Sequence, residues 1–596
     1  MLKREINILQ DRVEQDFLPF VRQPGRYIGG EVNQIKKDLS ACDVRIALCF
    51  PDIYEIAMSH TGIAVIYNIV NGMEDAAAER VFAPWTDAEE VMRKESIPLF
   101  SLESKAEVKD FDIVAFSLNS ELCYTNVLNM LDLAGLNIRS EDRDEDAPLV
   151  IGGGVSANCA EPMSDFLDLL MLGDGEEAVQ QLIDLYKKHH DKSKKEFLHI
   201  AAKELDFVYV PSLYEVTYDG DKIGSLKSID PEISTDIKNA TVKDFDKTPV
   251  PEKPIVPFVQ AVHERVSVEI MRGCPGRCRF CQASFCKRPI RYRSVDTIID
   301  IAKKNYHATG YDTVSLLSLS TADYPDLEEL VVKLQEYFTP KQVGISVPSL
   351  RVKEQLKLLP KMVSTVRKSG LTIAVEAASE KLRKTINKPI TDEDLLNAVV
   401  AAYEAGYKKV KLYFMVGFPG ETEEDIRRIV DLSFTIARIK RKVDRQTANV
   451  SVAISWLVPK AHTPLAWLGQ KPKEYFENAK QIILNEKRAR KANFLSFKFH
   501  EIEASVLESA TGRGDRRLGK IIESAWKKGA RFDLWREGFD YDIWSEAFKE
   551  AGTTLEAAAE RGFEPGDILP WQHLGGPDRD YLLDHYNKAL KSSKEK

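Results

Sequence analysis

Four of the eight cysteines in this 596-residue chain crowd into the thirteen residues from Cys274 to Cys286, and the other four, Cys42, Cys49, Cys123 and Cys159, are scattered. The crowded stretch reads Met271-Arg272-Gly273-Cys274-Pro275-Gly276-Arg277-Cys278-Arg279-Phe280-Cys281. Three thiolates spaced this way can wrap a short loop around one iron–sulfur cube. A fourth cysteine would ligate every iron, whereas three leave one iron open to a substrate or cofactor, which suits catalysis better than electron storage. Tetrahedral zinc on Cys274, Cys278, Cys281 and Cys286 is the competing use of the same thiols. Cys286 stays open between fourth ligand, substrate-carrying thiol and ordinary loop residue. The start of the chain mixes charges through its apolar positions and is no secretory signal, so the clustering points to metal rather than disulfides.

The elements around these cysteines decide between the uses. Short apolar runs alternate with amphipathic stretches from Val44 to Tyr186, including VRIALCF, DIVAFSL and PLVIGGG. Continuous apolar strands separated by helices imply a parallel sheet covered on both faces, a doubly wound, Rossmann-like α/β domain over residues 1–190. A small hairpin and the proline-rich run TPVPEKPIVP fill 191–262. Residues 263–470 carry six strand candidates with helical spacers, starting at Val266, Thr313, Val343, Leu371, Lys409 and Asn449, a partial (β/α)6 TIM-type barrel. Residues 471–596 read as a helical C-terminal region. The cysteine segment follows the first barrel strand directly, at the strand end where barrels place their chemistry.

That combination resembles the radical S-adenosylmethionine superfamily over roughly Ser267 to Pro464. The resemblance implies that Cys274, Cys278 and Cys281 hold a [4Fe-4S] cluster whose open iron chelates S-adenosylmethionine. It further implies that one electron, brought by a flavodoxin- or ferredoxin-type donor, cleaves the sulfonium, and that a 5′-deoxyadenosyl radical then abstracts hydrogen from a substrate. Phe280 would lie near the adenine. Glu376, ending LTIAVE, would contact the ribose or methionyl group. Where the superfamily often shows Gly-Gly-Glu, this chain departs from it with Leu317-Ser318-Leu319-Ser320-Thr321, leaving Ser318 and Ser320 as hydroxyl contacts. Gly417, opening Gly417-Phe418-Pro419-Gly420-Glu421-Thr422, permits close backbone approach to a ligand. This segment, and the loop holding His462, resemble the methylthiotransferase and elongator-type branch. His462 reads equally as a proton donor and as a surface-loop residue.

Three glycine-bearing segments sit at the N-terminal domain's strand ends: Ser59-His60-Thr61-Gly62, Gly152-Gly153-Gly154 and Gly173-Asp174-Gly175-Glu176. They leave room for phosphates or a nucleotide tail. Their order resembles cobalamin-binding domains that precede radical barrels, with Gly152, Gly153, Gly173 and Gly175 as cofactor contacts, and PDIYEIAMSHTG and RGDRR with FDYDIW resemble a bacterial group so built. The D-x-H-x-x-G motif of some cobalamin enzymes is absent in that form, and His60 reads as structural. With cobalamin the implied reaction is C-methylation of a substrate the sequence does not name; without it, the domain would recognise substrate, RNA or protein, and a non-catalytic iron–sulfur or zinc scaffold is the alternative from another class. Net charge is −9, which argues against bulk nucleic-acid binding. Arg277, Arg279, Lys287, Arg288, Arg291 and Arg293 around the cysteines leave a local RNA contact open, or stabilise an anionic cluster. No stretch reaches the ~18 apolar residues of a membrane helix, and a cytoplasmic location follows as the expectation.

Overall fold

The computed structural model describes residues 5–347 and 371–594. The N-terminal sheet has six strands in the order β2-β1-β3-β4-β5-β6. They are β1 Val44–Phe50, β2 Ala76–Phe82, β3 Ile113–Ser117, β4 Leu149–Gly153, β5 Leu169–Met171 and β6 Val208–Tyr209, parallel except for β6. Buried apolar side chains on both faces make it a doubly wound sheet, and its order reverses between β1 and β3. β2 was absent from the expected strands because Glu79 and Arg80 interrupt its apolar run. In the fold both are buried: Arg80 meets Glu31 at 2.8 Å and Glu103 at 2.6 Å, while Glu79 accepts from Ser101 and Ser104. β6 carries the sheet past residue 190 to Tyr209.

The strands β7 Tyr214–Asp219 and β8 Lys222–Ser228 form an antiparallel hairpin across Gly220, whose φ is +57°. The proline-rich stretch then runs along the N-terminal domain, with Val256 bridged to Val32.

In the second half, β9 Val266–Glu269, β12 Thr313–Leu317 and β13 Gly344–Ser346 form a three-stranded parallel sheet. A four-stranded parallel sheet follows, made of β14 Leu371–Glu376, β15 Lys409–Val416, β16 Asn449–Trp456 and β17 Leu495–Phe499. The spacer after β13, the third strand–helix unit of the expected barrel, lies outside the described residues. Thr391 and Thr422 close capping boxes with Asp394 and Asp425, which fixes where the helices Asp392–Glu404 and Glu423–Ile439 begin. β17 corrects the reading of everything beyond residue 471 as helical. Its five residues, LSFKF, are too short and too polar to stand out after the charged helix Lys473–Ala489.

Buried charges join the halves. Lys460, beyond β16, reaches Glu121, beyond β3, at 3.0 Å and Glu508 at 2.6 Å. Burial works against the Lys460 ammonium, yet Glu121 and Glu508 hold its pKa above the ordinary value. Glu161 accepts from Tyr209 at 2.9 Å and lies 3.2 Å from His573, with Arg516 on its other oxygen. Lys460→Met should therefore cost about 3–5 kcal/mol in urea unfolding, because it strands the Glu121 carboxylate, and adding Glu121→Gln should return most of that loss.

Candidate functional site

The cysteine loop grows from a two-stranded ribbon in which β10, Met271–Arg272, pairs antiparallel with β11, Arg291–Tyr292. Gly273 makes the turn out of it at φ +88°; a Cβ there would stand 2.4 Å from the Lys287 carbonyl oxygen. Arg288 braces the loop from inside, its Nη2 donating to the carbonyls of Cys274 at 3.0 Å and Gly276 at 3.2 Å, and its Nε to that of Ser284 at 2.9 Å. Pro275 and Arg277 form an exposed tip, while Cys274, Cys278 and Cys281 are half-buried. The three thiols lie within electrostatic reach of one another: burial pushes the Cys278 thiol up to about 11, Cys281 and Cys274 add to the rise, and Lys388 opposes it. Among the described residues no three His, Cys, Asp or Glu side chains gather as ligands of a single metal ion.

Behind the loop, Phe280 meets Phe418 at a ring-centroid distance of 6.1 Å, in an apolar cluster with Leu382, Leu457 and Ala589. Glu376 is a non-glycine residue at φ +68°, at a register shift between β14 and β15, and its carboxylate accepts from Lys388 at 2.9 Å. Gly417 has φ +117° and donates its N–H to Glu421 at 2.6 Å; the same carboxyl oxygen accepts from Tyr475 at 2.8 Å. Burial pushes the Glu421 carboxyl up to about 7 against those two hydrogen bonds.

A cavity of about 580 Å³ opens at the carboxyl ends of the N-terminal strands and is closed on its far side by the cysteine segment. Leu48, Ser117, Gly153 and Gly173 line one wall; Gln282, Ala283, Cys286 and Ser318 line the other. The short helix Gln282–Cys286 begins immediately after Cys281, so one turn of chain separates the thiol loop from the cavity. The walls are locked by charge: Arg272 binds Glu176 at 2.6 and 3.1 Å, Asp174 at 3.1 Å and Glu269 at 2.8 Å, and Arg291 also binds Asp174.

Two family descriptions match: "Radical SAM proteins, N-terminal" over residues 62–211 and "Radical SAM superfamily" over residues 268–433. The chain is a member of the radical S-adenosylmethionine superfamily. A protein of Methanocaldococcus jannaschii without an assigned activity is 26% identical over 484 residues, 80% of this chain and 90% of that protein. The ribosomal protein uS12 methylthiotransferase RimO of Desulfotalea psychrophila is 29% identical over 191 residues, 30% of this chain and 41% of its own. Among solved structures, the cobalamin-dependent S-adenosylmethionine radical enzyme OxsB matches with a TM-score of 0.50 at 14% identity, covering 81% of this chain and 66% of that one. The protein is thus a radical S-adenosylmethionine enzyme, a class that uses a [4Fe-4S] cluster and S-adenosylmethionine and needs an electron donor. Among the described residues no helix is long and apolar enough to cross a membrane.

The structure sorts the residues singled out in this radical SAM sequence into two neighbouring groups. Cys274, Cys278, Cys281, Phe280, Glu376 and Gly417 belong to the loop and its backing; Gly153, Gly173, Gly175 and Ser318 line the cavity. Gly152 does not: strand alternation turns it to the core, where a Cβ would stand 2.8 Å from Leu167 and Leu170. Ser320 is buried, donating to Asp323 at 2.5 Å rather than facing the cavity. His462 is no surface residue: it is 2% exposed and 2.8 Å from the Asn158 carbonyl of the other domain, and burial pushes it down to about 4. The basic residues are largely consumed internally, Arg279 on the Thr385 carbonyl at 2.5 Å and Arg293 on those of Asp246 and Thr248. Lys388 escaped sequence reasoning, since nothing in its spacing marks it, and Glu421 stood in the Gly417–Thr422 segment without a role of its own.

Glu421 yields a pH test. A carboxyl whose folded pKa is raised from 4.5 to about 7 binds more protons folded than unfolded, so stability falls as pH climbs through that window. Glu421→Gln keeps an acceptor for Gly417 and Tyr475 without titrating. Relative to this variant, the wild type should lose on the order of 2–3 kcal/mol between pH 5 and about 8 in denaturant unfolding.

Proposed function

We propose that this enzyme performs cobalamin-dependent methyl transfer to carbon by radical S-adenosylmethionine chemistry, with cobalamin in the interdomain cavity and the cluster on Cys274, Cys278 and Cys281. The single observation carrying this reading is the position of the cavity: at the carboxyl ends of a doubly wound sheet, beside its order reversal, and one helical turn from the thiol loop. Its lining fits a broad, largely apolar macrocycle with a polar tail. Ile63, Val65, Ile66, Met171 and Val179 supply the apolar surface, and Gly153 and Gly173 keep the rim free of side chains. The relative OxsB is named as cobalamin-dependent, which supports the same reading. When bound, the cluster supplies one electron to S-adenosylmethionine and cobalamin a transferable methyl group.

This chain's residues then position and exclude. Arg288 holds the thiol loop open in one shape through three backbone carbonyls, so the ligands need no ordering when the cluster enters. Lys388, beside Cys278 and bonded to Glu376, sets a positive charge against the anionic thiolates. Phe280 and Phe418 keep water from the back of the loop. His60 lines the cavity, but its Nδ1 accepts from the Ile63 N–H at 3.3 Å as a helix cap, and burial pushes its pKa down to about 4. The neutral ring therefore carries its proton on Nε2 and presents a donor, not a lone pair, which supports cobalamin held without a histidine ligand from this position.

Anaerobic reconstitution should give about four iron and four sulfide per chain. Replacing Cys274, Cys278 and Cys281 together by alanine should abolish both iron loading and S-adenosylmethionine cleavage, while Cys286→Ser keeps both. Zinc at one equivalent in place of iron would refute the cluster. Titration with hydroxocobalamin should saturate at about one equivalent with a shift of its visible spectrum; no binding would remove the methyl-transfer part and leave hydrogen abstraction.

A further inference from the structure

A second space lies beside the large cavity. It is a crevice of about 110 Å³ between the domains, and all four residues of β9, the edge strand of its sheet, line it. Ser59 and Thr61, at the start of the helix Thr61–Gly72, stand on one side; Arg265, Ser267 and Tyr311 belong to the barrel side. Arg272 lines both spaces, and its ion pairs with Glu176 and Glu269 make the wall between them.

The crevice holds a cation that nothing in its surroundings neutralises. Arg265, half-buried, makes no hydrogen bond or ion pair among the described residues, and its Nε is shut off from solvent. Burial alone moves its pKa, downward, with no carboxylate to raise it. The acids nearby are engaged or act elsewhere. Glu176 and Glu269 bond to Arg272, Asp246 accepts from the Ser294 N–H at 2.7 Å, and the exposed Glu264 acts on the Tyr311 phenol. His263, two residues back, is pushed down by burial and by the Arg265 charge. Arg293, 2% exposed on the same lining, commits Nη1 to the Asp246 and Thr248 carbonyls and leaves Nε without a partner. The hydroxyls of Ser267 and Tyr311 make no hydrogen bond among the described residues either.

A guanidinium keeps its charge at neutral pH, so a half-buried one without a counter-charge carries an uncompensated desolvation cost. A bound anion removes that cost. The fork of Arg265 matches two oxygens of a carboxylate or a phosphate, and the two free hydroxyls are donors that a carboxylate would leave unused. The volume admits one such group and excludes a macrocycle.

We propose that this crevice is a second ligand site, which binds the phosphoryl group of a small phosphorylated molecule on Arg265, Ser267 and Tyr311. Its walls come from both domains, so its ligand bridges the docking of one on the other. The site is independent of the cobalamin reading, because the Arg272 pairs separate it from the larger cavity.

The test uses the full-length, cluster-reconstituted protein with inorganic phosphate as the probe, followed by equilibrium dialysis at constant ionic strength. Phosphate should saturate at about one equivalent per chain, and acetate at equal concentration should not displace it. Arg265→Gln should weaken binding about tenfold, and Arg265→Lys, which keeps the charge and loses the fork, should fall between that variant and the wild type. Arg536→Gln, at an arginine whose side chain is 86% exposed, should change nothing. In phosphate-free buffer Arg265→Gln should unfold in urea no earlier than the wild type, and added phosphate should raise the wild-type midpoint alone. A variant less stable than the wild type without phosphate would make Arg265 a structural residue and overturn the site. Absence of saturable phosphate binding would overturn it too, and equal displacement by acetate would overturn the phosphoryl assignment. Saturating hydroxocobalamin should leave phosphate binding unchanged; displacement would place the phosphate in the larger cavity and overturn a separate site. Failure of hydroxocobalamin to bind at all would overturn the cobalamin reading and leave this one standing.

Discussion

The arrangement of both halves depends on two arginines of the first barrel ribbon meeting two acids of one N-terminal turn. Arg272 and Arg291 take Asp174 and Glu176, and burial works against the Asp174 carboxylate while Arg272 and Arg291 hold its pKa below the ordinary value. Such a network adds little net stability, because desolvation offsets most of the Coulomb attraction. Its effect is on geometry. Any other docking of the two domains would leave buried charges unpaired, so the carboxyl ends of β3, β4 and β5 face the cysteine segment and the neighbouring strand ends of the barrel. The cavity exists because this pairing sets its width.

The same constraint explains why most guanidinium groups of this arginine-rich loop turn inward. Arg272, Arg279, Arg288, Arg291 and Arg293 each make internal bonds, to carboxylates of the other domain or to backbone carbonyls. A guanidinium bonded to two or three carbonyls fixes a loop that has little regular structure of its own, as Arg288 does. Cys286 fits this picture. It lines the cavity wall at the end of the short helix after Cys281, and burial pushes its thiol up to about 12.

Much of this was legible in the sequence where one kind of force acts alone. Apolar runs such as VRIALCF report a strand buried on both faces, and Thr391 and Thr422 report helix starts through their own side chains. The spacing of Cys274, Cys278 and Cys281 reports a loop small enough for one cluster. What escaped involves partners distant in the chain. β2 is buried only because Glu31 and Glu103 neutralise Arg80; His462 is buried only because Asn158 comes to it; Lys388 matters only because β14 ends beside it. Gly152 and Gly153 are equivalent as residues, and only the pleat of β4 separates the one packed on leucines from the one open to the cavity.

Backbone strain marks where such distant partners act. Glu376 at φ +68° and His462 at φ +57° are left-handed residues with full side chains, and each conformation costs about 1–3 kcal/mol relative to an ordinary one. Glycine would relieve both, but would delete the carboxylate that holds Lys388 near Cys278 and the imidazole that reaches Asn158. The register shift between β14 and β15 is the geometric counterpart: it turns Glu376 out of the regular pleat and toward the thiol loop. A strand ending without that shift would aim the residue elsewhere and leave the Lys388 charge unpaired next to three thiols. The strain at Glu376 is therefore offset by the pairing it permits, and it lies at the point where the barrel has to bring charge to the proposed cluster.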